Sequence, residues 1–349
     1  MVREVSLKQA LELYDTQDIN LLSVAALKIR RKLNGNKVYY NNNFHIEPSN
    51  ICLHRCRFCS YRRDDALQPG AWAMTVEDVV EYCRQKYRKG MTEVHVVGSV
   101  HPEKGLDYYR SVISVLRKEL PEEVVIKAYS AVEIDDMANS SGHSVEYVLK
   151  TLKDAGLSAL PGGGAEIFEP TIRNEICPDK TNGERWLEIH HTAHKLGIRS
   201  NATMLFGHIE SRKDRIAHML KLRELQDETG GFDAFIPLLY KAGHNQLSYL
   251  GELNIIEVLK TFAISRIVLD NVMHLKSYWP MLGKELSQLA LLYGADDIDG
   301  TINDSTKIYS MAGSLEKNPG MSREDLEKMA RECGFIAIER DSFYNEVKK

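Results

Sequence analysis

Short apolar runs alternate with longer amphipathic segments along most of the chain. Each run is rich in β-branched or other apolar residues and is followed by a turn and a segment of helical periodicity. Alternating strands and helices build βαβ units around a parallel sheet, and eight repeats at a spacing of roughly 30 residues suit a closed barrel. The pattern therefore predicts an α/β fold of the (β/α)8 type. The eight runs are 38–48, 93–98, 124–130, 157–160, 198–205, 232–240 and two weaker ones, 274–276 and 297–301.

A helical segment precedes the first of these strands. Residues 5–33 carry apolar positions at helical spacing, and the pair Asn34-Gly35 is a typical helix stop. We therefore predict an N-terminal helical segment, residues 1–36, that packs on a barrel formed by residues 37–349 with a C-terminal extension. Polar and glycine-rich residues cluster where the strands end, which is the face that carries the chemistry of such barrels.

The composition excludes some classes of function. The chain has 349 residues, a formal charge of -4 and a pI near 6.3, so we expect no sequence-independent binding of nucleic acid. The N-terminus lacks the charged-then-apolar pattern of a signal peptide, and no apolar run reaches the length of a membrane span. We expect a cytoplasmic protein that acts without nucleic acid or membrane.

Three cysteines, Cys52, Cys56 and Cys59, lie within eight residues. Three thiols leave one over after any disulfide, so a soft metal or an iron–sulfur cluster fits better. Three thiolates can hold a 4Fe–4S cube and leave its fourth iron open to the amino and carboxylate groups of S-adenosylmethionine. A zinc site and an electron-transfer cluster are the alternatives, although zinc usually takes two spaced ligand pairs and carriers supply a fourth cysteine. Cys83, Cys177 and Cys333 are scattered, and we predict that they are packed or free.

Several long runs extend the comparison beyond the cysteines. Together with the cysteine loop they resemble the radical S-adenosylmethionine superfamily and, within it, the aminodeoxyfutalosine synthases of the futalosine route to menaquinone. The resemblance covers the chain from about residue 20. The runs are Pro161–Phe168, Ser200–Glu210, Leu222–Phe232, Leu269–Trp279 and Gly294–Thr301.

The resemblance implies a reaction. A 5′-deoxyadenosyl radical adds to the vinyl carbon of 3-[(1-carboxyvinyl)oxy]benzoate, the aryl group migrates from oxygen to carbon and a carboxylate is lost. The product is 6-amino-6-deoxyfutalosine, so S-adenosylmethionine is consumed as a substrate. An electron donor such as a flavodoxin or ferredoxin is expected. The alternatives are a cyclic dehypoxanthinylfutalosine synthase, a deazaflavin (F0) synthase-like enzyme and, in a different class, a non-catalytic Fe–S electron carrier.

The resemblance and the residue types together indicate site residues. A substrate with two carboxylates needs cations or donors at strand ends, and Glu133 and Glu166 can accept hydrogen bonds from ribose hydroxyls. Glu166 has a second interpretation, as an acid that complements a helix N-terminus. We expect cluster ligation by Cys52, Cys56 and Cys59, cofactor binding by Phe58, Gly98, Ser99, Ser130, Glu133, Gly163 and Glu166, substrate binding by Arg173, Asn201 and Lys276, and catalytic roles for His208 and His274.

Two positions depart from the family pattern. Many relatives carry a Gly-Gly pair after the second strand, whereas here Gly98 is followed by Ser99. A serine is acceptable there only if its φ is not one that demands glycine. The segment 240–245 also lacks the proline-containing turn expected there, which leaves the details of substrate contact open.

Overall fold

The computed structural model describes residues 5–301, Met311 and 320–348 and shows a parallel sheet curled into a barrel. Seven strands, β2 to β8, pair in parallel in their order along the chain, and β10, β1 and β9 form a second parallel sheet. The strands are β1 Lys37–Asn41, β2 Asn43–Ile46, β3 Glu93–Val96, β4 Val125–Ala128, β5 Ala159–Leu160, β6 Arg199–Phe206, β7 Phe232–Leu239, β8 His274–Leu275, β9 Asp297–Gly300 and β10 Ile336–Arg340.

The two sheets join at both edges. Strands β1 and β2 are separated by Asn42 alone, so they form one bent strand that belongs to both sheets. At the other edge the backbone N–H of Ser277, just after β8, donates to the carbonyl of Asp297 in β9 at 2.7 Å. The predicted α/β barrel is confirmed, and all eight predicted runs contain a strand. Strand β10 adds to this plan, because it lies in the stretch expected only as a C-terminal extension.

Helices cover the outside of the barrel. Many begin with a side-chain cap, such as Ser130 for α5 and Ser211 for α9, which satisfies the free backbone N–H groups of the first turn. They are α1 Leu7–Tyr14, α2 Ile19–Asn34, α3 Val76–Lys86, α4 Leu106–Glu119, α5 Ala131–Ser141, α6 Val145–Ala155, α7 Pro170–Ile176, α8 Gly183–Lys195, α9 Arg212–Thr229, α10 Ile255–Val268, α11 Trp279–Leu282, α12 Lys284–Leu291 and α13 Arg323–Glu332. None of the helices within the described ranges is long and apolar enough to cross a membrane.

The helical region predicted over 5–33 is divided into two helices. The first helix ends at Tyr14, and Asp18 starts the second by accepting a hydrogen bond from the N–H of Asn20 at 2.9 Å. Polar residues that favour caps and turns fill the gap between them. The second helix ends at Gly35 with φ +58°, as the Asn34-Gly35 pair predicts. The domain boundary at residue 36 stays a prediction.

Strand alternation gives the barrel an apolar outside and a polar inside. Along β3, Val94 and Val96 are fully buried and face the helices, as successive side chains point to opposite faces of a strand. Glu93 and His95 point the other way, into the barrel, where both line an interior cavity. The fold therefore places charged and titratable groups in its centre.

Candidate active site

The three predicted cluster cysteines follow β2 and line one cavity. Cys52, Cys56 and Cys59 are free thiols that border a space of about 100 Å3, which we call the cysteine cavity. Backbone hydrogen bonds hold their loop against three neighbouring segments: Leu53 N–H to Val100 O at 2.9 Å, Arg57 N–H to Ile176 O at 2.8 Å and Gln246 N–H to Arg57 O at 2.9 Å. The last of these bonds involves the segment next to 240–245, where the proline-containing turn is missing.

Five of the predicted cofactor-binding residues line the same cavity. They are Phe58, Gly98, Ser99, Ser130 and Glu133. Ser99 is not among the residues with positive φ, and its hydroxyl donates to the carbonyl of Ile51 at 2.6 Å, so serine fits where many relatives carry glycine. A Cβ on Gly98 would lie 2.9 Å from the carbonyl oxygen of Ser49, so only glycine fits there.

Glu133 places a buried carboxylate at the start of α5. It caps the helix together with Ser130, accepting the Ser130 N–H at 2.7 Å and the Ser130 hydroxyl at 2.8 Å. Burial raises the pKa of Glu133 to about 7 despite these hydrogen bonds. The group is therefore an acceptor whose charge depends on what binds beside it.

Lys180 is a cavity residue that sequence reasoning missed. It lies between α7 and α8, lines the cysteine cavity and pairs with Glu166, Nζ to Oε1 at 2.6 Å. Burial opposes its charge, yet Glu166 and Cys56 raise the pKa of the Lys180 ammonium. Glu166 therefore contacts Lys180, which lines the cysteine cavity, but Glu166 itself does not line that cavity. No strand or helix signal marks this loop lysine, so only the folded chain reveals it.

The donor set fits a thiolate-bound cluster. Cys52, Cys56 and Cys59 would hold three irons, and the Lys180 cation lies near enough to Cys56 to act on its charge. A hydrogen bond with buried Cys177 lowers the pKa of Cys56 to about 7, whereas burial raises the pKa of Cys59 to about 11. Cys177 is buried and free, as predicted.

A second cavity of about 170 Å3 fills the centre of the barrel, and we call it the barrel cavity. Two ion pairs cross its wall: Lys127 Nζ lies 2.7 Å from Glu93 Oε2, and Lys276 Nζ lies 2.6 Å from Asp299 Oδ1. The predicted residues Gly163, Asn201 and Lys276 line it. Sequence reasoning missed His45, His95 and Lys127. Polar residues at every second position of β2 and β3 carry the signal for the two histidines, whereas Lys127 is the single polar residue of β4.

The two cavities share a wall. Val97 lines the barrel cavity and its neighbour Gly98 lines the cysteine cavity. A Cβ built on Gly163, in the barrel cavity, would lie only 3.8 Å from Cβ of Ser130, in the cysteine cavity. A reactive species formed among the cysteines therefore has a short path into the barrel.

Besides Glu166, three predicted site residues line neither cavity, and their roles stay predictions. The buried guanidinium of Arg173 donates to the carbonyls of Gly164 and Ala165 at 2.9 and 2.6 Å, so it supports the glycine loop from behind. His208 interacts through Nε2 with the carbonyl of Leu205 at 3.1 Å. His274 bonds to Asp296 at 2.6 Å and stacks on Tyr344, below Lys276.

Two glycines allow a matched test of these cavities. Gly98→Ala should lower thermal stability and S-adenosylmethionine binding together, because its Cβ meets backbone at 2.9 Å. Gly163→Ala should keep the melting temperature within about 2 °C of wild type, since its Cβ meets only Ser130 at 3.8 Å. Differential scanning fluorimetry and equilibrium binding would measure both effects. Equal losses of stability in the two variants would contradict this geometry.

Comparison with known proteins shows which families this chain resembles. The Radical SAM superfamily model matches residues 46–222, and a model described as the CofH/MqnC C-terminal region matches residues 229–348. Similar curated relatives are the aminodeoxyfutalosine synthases of Thermus thermophilus, 40% identical over 99% of this chain and 93% of its own, and of Streptomyces coelicolor, 39% identical over 98% and 90%. The crystal structure of methylornithine synthase superposes with a TM-score of 0.73 at 15% identity, covering 95% of this chain and 93% of its own.

Proposed function

The chain belongs to the radical S-adenosylmethionine superfamily, whose enzymes use a 4Fe–4S cluster, and we propose that it is an aminodeoxyfutalosine synthase. A reduced cluster, when bound, supplies the electron that cleaves S-adenosylmethionine to methionine and a 5′-deoxyadenosyl radical. The proposed substrate is 3-[(1-carboxyvinyl)oxy]benzoate, and the proposed product is 6-amino-6-deoxyfutalosine. Support for this choice comes from the relatives of that name, which match this chain over nearly its whole length.

The observation that carries the proposal is the shared wall between the two cavities. Addition of a radical to a substrate requires the two reactants to be held in contact and away from other molecules. The cysteine cavity and the barrel cavity meet at Gly163 and Ser130, so a nucleoside on one side reaches a small molecule on the other.

Each group of side chains has a proposed task. Cys52, Cys56 and Cys59 hold the cluster, while Ser130 and the Glu133 carboxylate accept hydrogen bonds from the ribose. In the barrel cavity, the Asn201 amide orients an acidic substrate, and the Lys276 ammonium, which stays paired with Asp299, is a second hydrogen-bond donor.

One assay tests the proposed reaction. We expect the reconstituted protein, incubated without oxygen with dithionite, S-adenosylmethionine and 3-[(1-carboxyvinyl)oxy]benzoate, to consume the benzoate and form the adenosyl adduct, detected by mass spectrometry. Free 5′-deoxyadenosine as the sole nucleoside product, with the benzoate intact, would contradict the proposal. Hydrogen abstraction from dehypoxanthinylfutalosine would then point to the cyclic dehypoxanthinylfutalosine synthase reaction.

The same preparation separates an enzyme from an electron carrier. An open iron that binds S-adenosylmethionine should change the electron paramagnetic resonance spectrum of the reduced cluster, and a spectrum that ignores this ligand would favour a carrier. We propose a flavodoxin or ferredoxin as the physiological donor. Turnover with such a protein in place of dithionite is the corresponding measurement.

A further inference from the structure

Two histidine rings contact each other at a tilt of 57° in the wall of the barrel cavity. His45 of β2 and His95 of β3 are register partners, and their ring centroids lie 4.8 Å apart. Both rings line the barrel cavity. The Nε2 atom of His95 is shielded from solvent and has no hydrogen-bond partner within the described residues. An unpaired nitrogen in a ring that lines a cavity needs an explanation, since buried polar groups are normally paired.

Both lysines near this pair of rings already have carboxylate partners. The titratable and charged groups that face the two rings are Glu47 beyond β2, Glu93 of β3, Lys127 of β4, Lys276 beyond β8 and Asp299 of β9. Lys127 is neutralised by Glu93 and Lys276 by Asp299. A carboxylate that enters the cavity therefore finds both lysines already engaged. It still needs a compensating positive charge, because an unpaired buried anion is strongly unfavourable.

A proton on His95 can supply that charge. Burial, the His45 ring and the two lysines together hold the pKa of His95 well below its ordinary value, so the imidazole is neutral in the empty cavity. An anion beside Nε2 reverses the balance and favours the imidazolium, which then donates a charge-assisted hydrogen bond.

We propose that His95 is the receptor for a substrate carboxylate in the barrel cavity and that it takes up one proton when this carboxylate binds. The inference rests on the proposed function for the identity of the substrate. It concerns a residue outside the predicted substrate set of Arg173, Asn201 and Lys276. The carboxylate adds to the existing ion pairs and leaves both of them in place.

The proposal predicts a pH dependence with a definite sign. Binding is accompanied by proton uptake at pH values between the low pKa of the empty cavity and the higher pKa of the complex. Within that window the dissociation constant rises about tenfold per pH unit, and it levels off above the pKa of the complex. Affinity for the carboxylate is thus highest on the acid side of the window.

Calorimetry on the cluster-loaded enzyme tests this directly. Without a reductant, S-adenosylmethionine stays intact, so 3-[(1-carboxyvinyl)oxy]benzoate can be titrated without turnover in two buffers of different ionisation enthalpy. We expect uptake of about one proton by the wild type. His95→Gln should lose this uptake and bind about 10- to 100-fold more weakly, since a hydrogen bond to a charged group is lost. His143→Gln, on the exposed side of the molecule, is the matched control and should behave as wild type.

Two further measurements keep the outcome decisive. Iron content and the spectral response to S-adenosylmethionine must stay normal in His95→Gln, and His95→Asn serves as a second variant if they do not. Proton uptake that persists in a folded His95 variant would overturn the proposal, because a group other than His95 would then take the proton. Benzoate and uncharged benzamide complete the set, and benzamide should bind without proton uptake.

The failure of this inference differs from failure of the proposed function. If the vinyl ether is converted but binds without proton uptake, and His95→Gln binds it normally, the carboxylate receptor is wrong and the synthase stands. If the vinyl ether is neither bound nor consumed, while benzoate binds with His95-dependent proton uptake, the receptor stands and the synthase is wrong.

Discussion

Replacing Cys56 by alanine should abolish S-adenosylmethionine cleavage and deplete the cluster. The cysteine loop offers three thiols and Cys56 is the central one, so its loss leaves two ligands for a cube that needs three. We expect iron and sulfide per chain to fall far below the wild-type values. Cleavage of S-adenosylmethionine should fall by about a thousandfold or more, because no cluster then remains to reduce it.

Cys333→Ala is the matched control for this experiment. Cys333 is a free, partly exposed cysteine that does not line the cysteine cavity, so its variant should keep both iron and activity. A Cys56→Ala protein with normal iron content would contradict the proposed ligation. Retained cleavage after anaerobic reconstitution would contradict it as well.

Replacing Arg340 by methionine should cause the largest loss of stability. Its buried guanidinium lies against buried Asp297, with Nε 2.8 Å from Oδ2. Removing one partner of a buried ion pair costs about 3 to 5 kcal/mol. Asp297 would keep only Lys276, whose Nζ lies 3.9 Å from Oδ1. Denaturant unfolding of the cluster-free protein measures the change. Arg340 and Lys276 hold the pKa of Asp297 below its ordinary value despite burial, so this contribution is present at neutral pH and is lost on acidification.

Two further variants serve as comparisons for Arg340→Met. Arg331→Met removes an exposed partner of Glu327, with N and O 3.2 Å apart, and should cost less than about 1 kcal/mol. Adding Asp297→Asn to Arg340→Met should restore part of the stability, because the carboxylate charge is removed with its partner. A loss in Arg340→Met no larger than that in Arg331→Met would contradict the buried-pair argument.

The repeating strand pattern was sufficient to predict the barrel, and local exceptions account for the errors. Each of the eight runs contains a strand, since period and turn chemistry act over a few residues. The gap between α1 and α2 depends on a short polar interruption, which a search for apolar spacing passes over. Strand β10 was not predicted, because its run of alternating apolar and polar residues is short and the eight earlier runs already suffice for a (β/α)8 barrel.

The sequence predicted the placement of residues near strand ends better than the placement of other residues. Gly98, Ser99, Ser130 and Glu133 each follow a strand, and the structure brings them to the cysteine cavity. Residue type alone was a poor guide to depth in the barrel. His274 precedes Lys276 by two residues and points to the same side about 6 to 7 Å lower, where it meets Asp296 and Tyr344 instead of the cavity.

The pairing of β1 with both β9 and β10 affects how the chain folds during its synthesis on the ribosome. Strand β1 begins at Lys37, but its partners lie at Asp297–Gly300 and Ile336–Arg340. Domains acquire structure as they emerge, and an unpaired strand edge invites association with other chains. This edge therefore stays open until β10 has been synthesised. We expect nascent chains stalled before residue 336 to bind chaperones and full-length chains to be released from them.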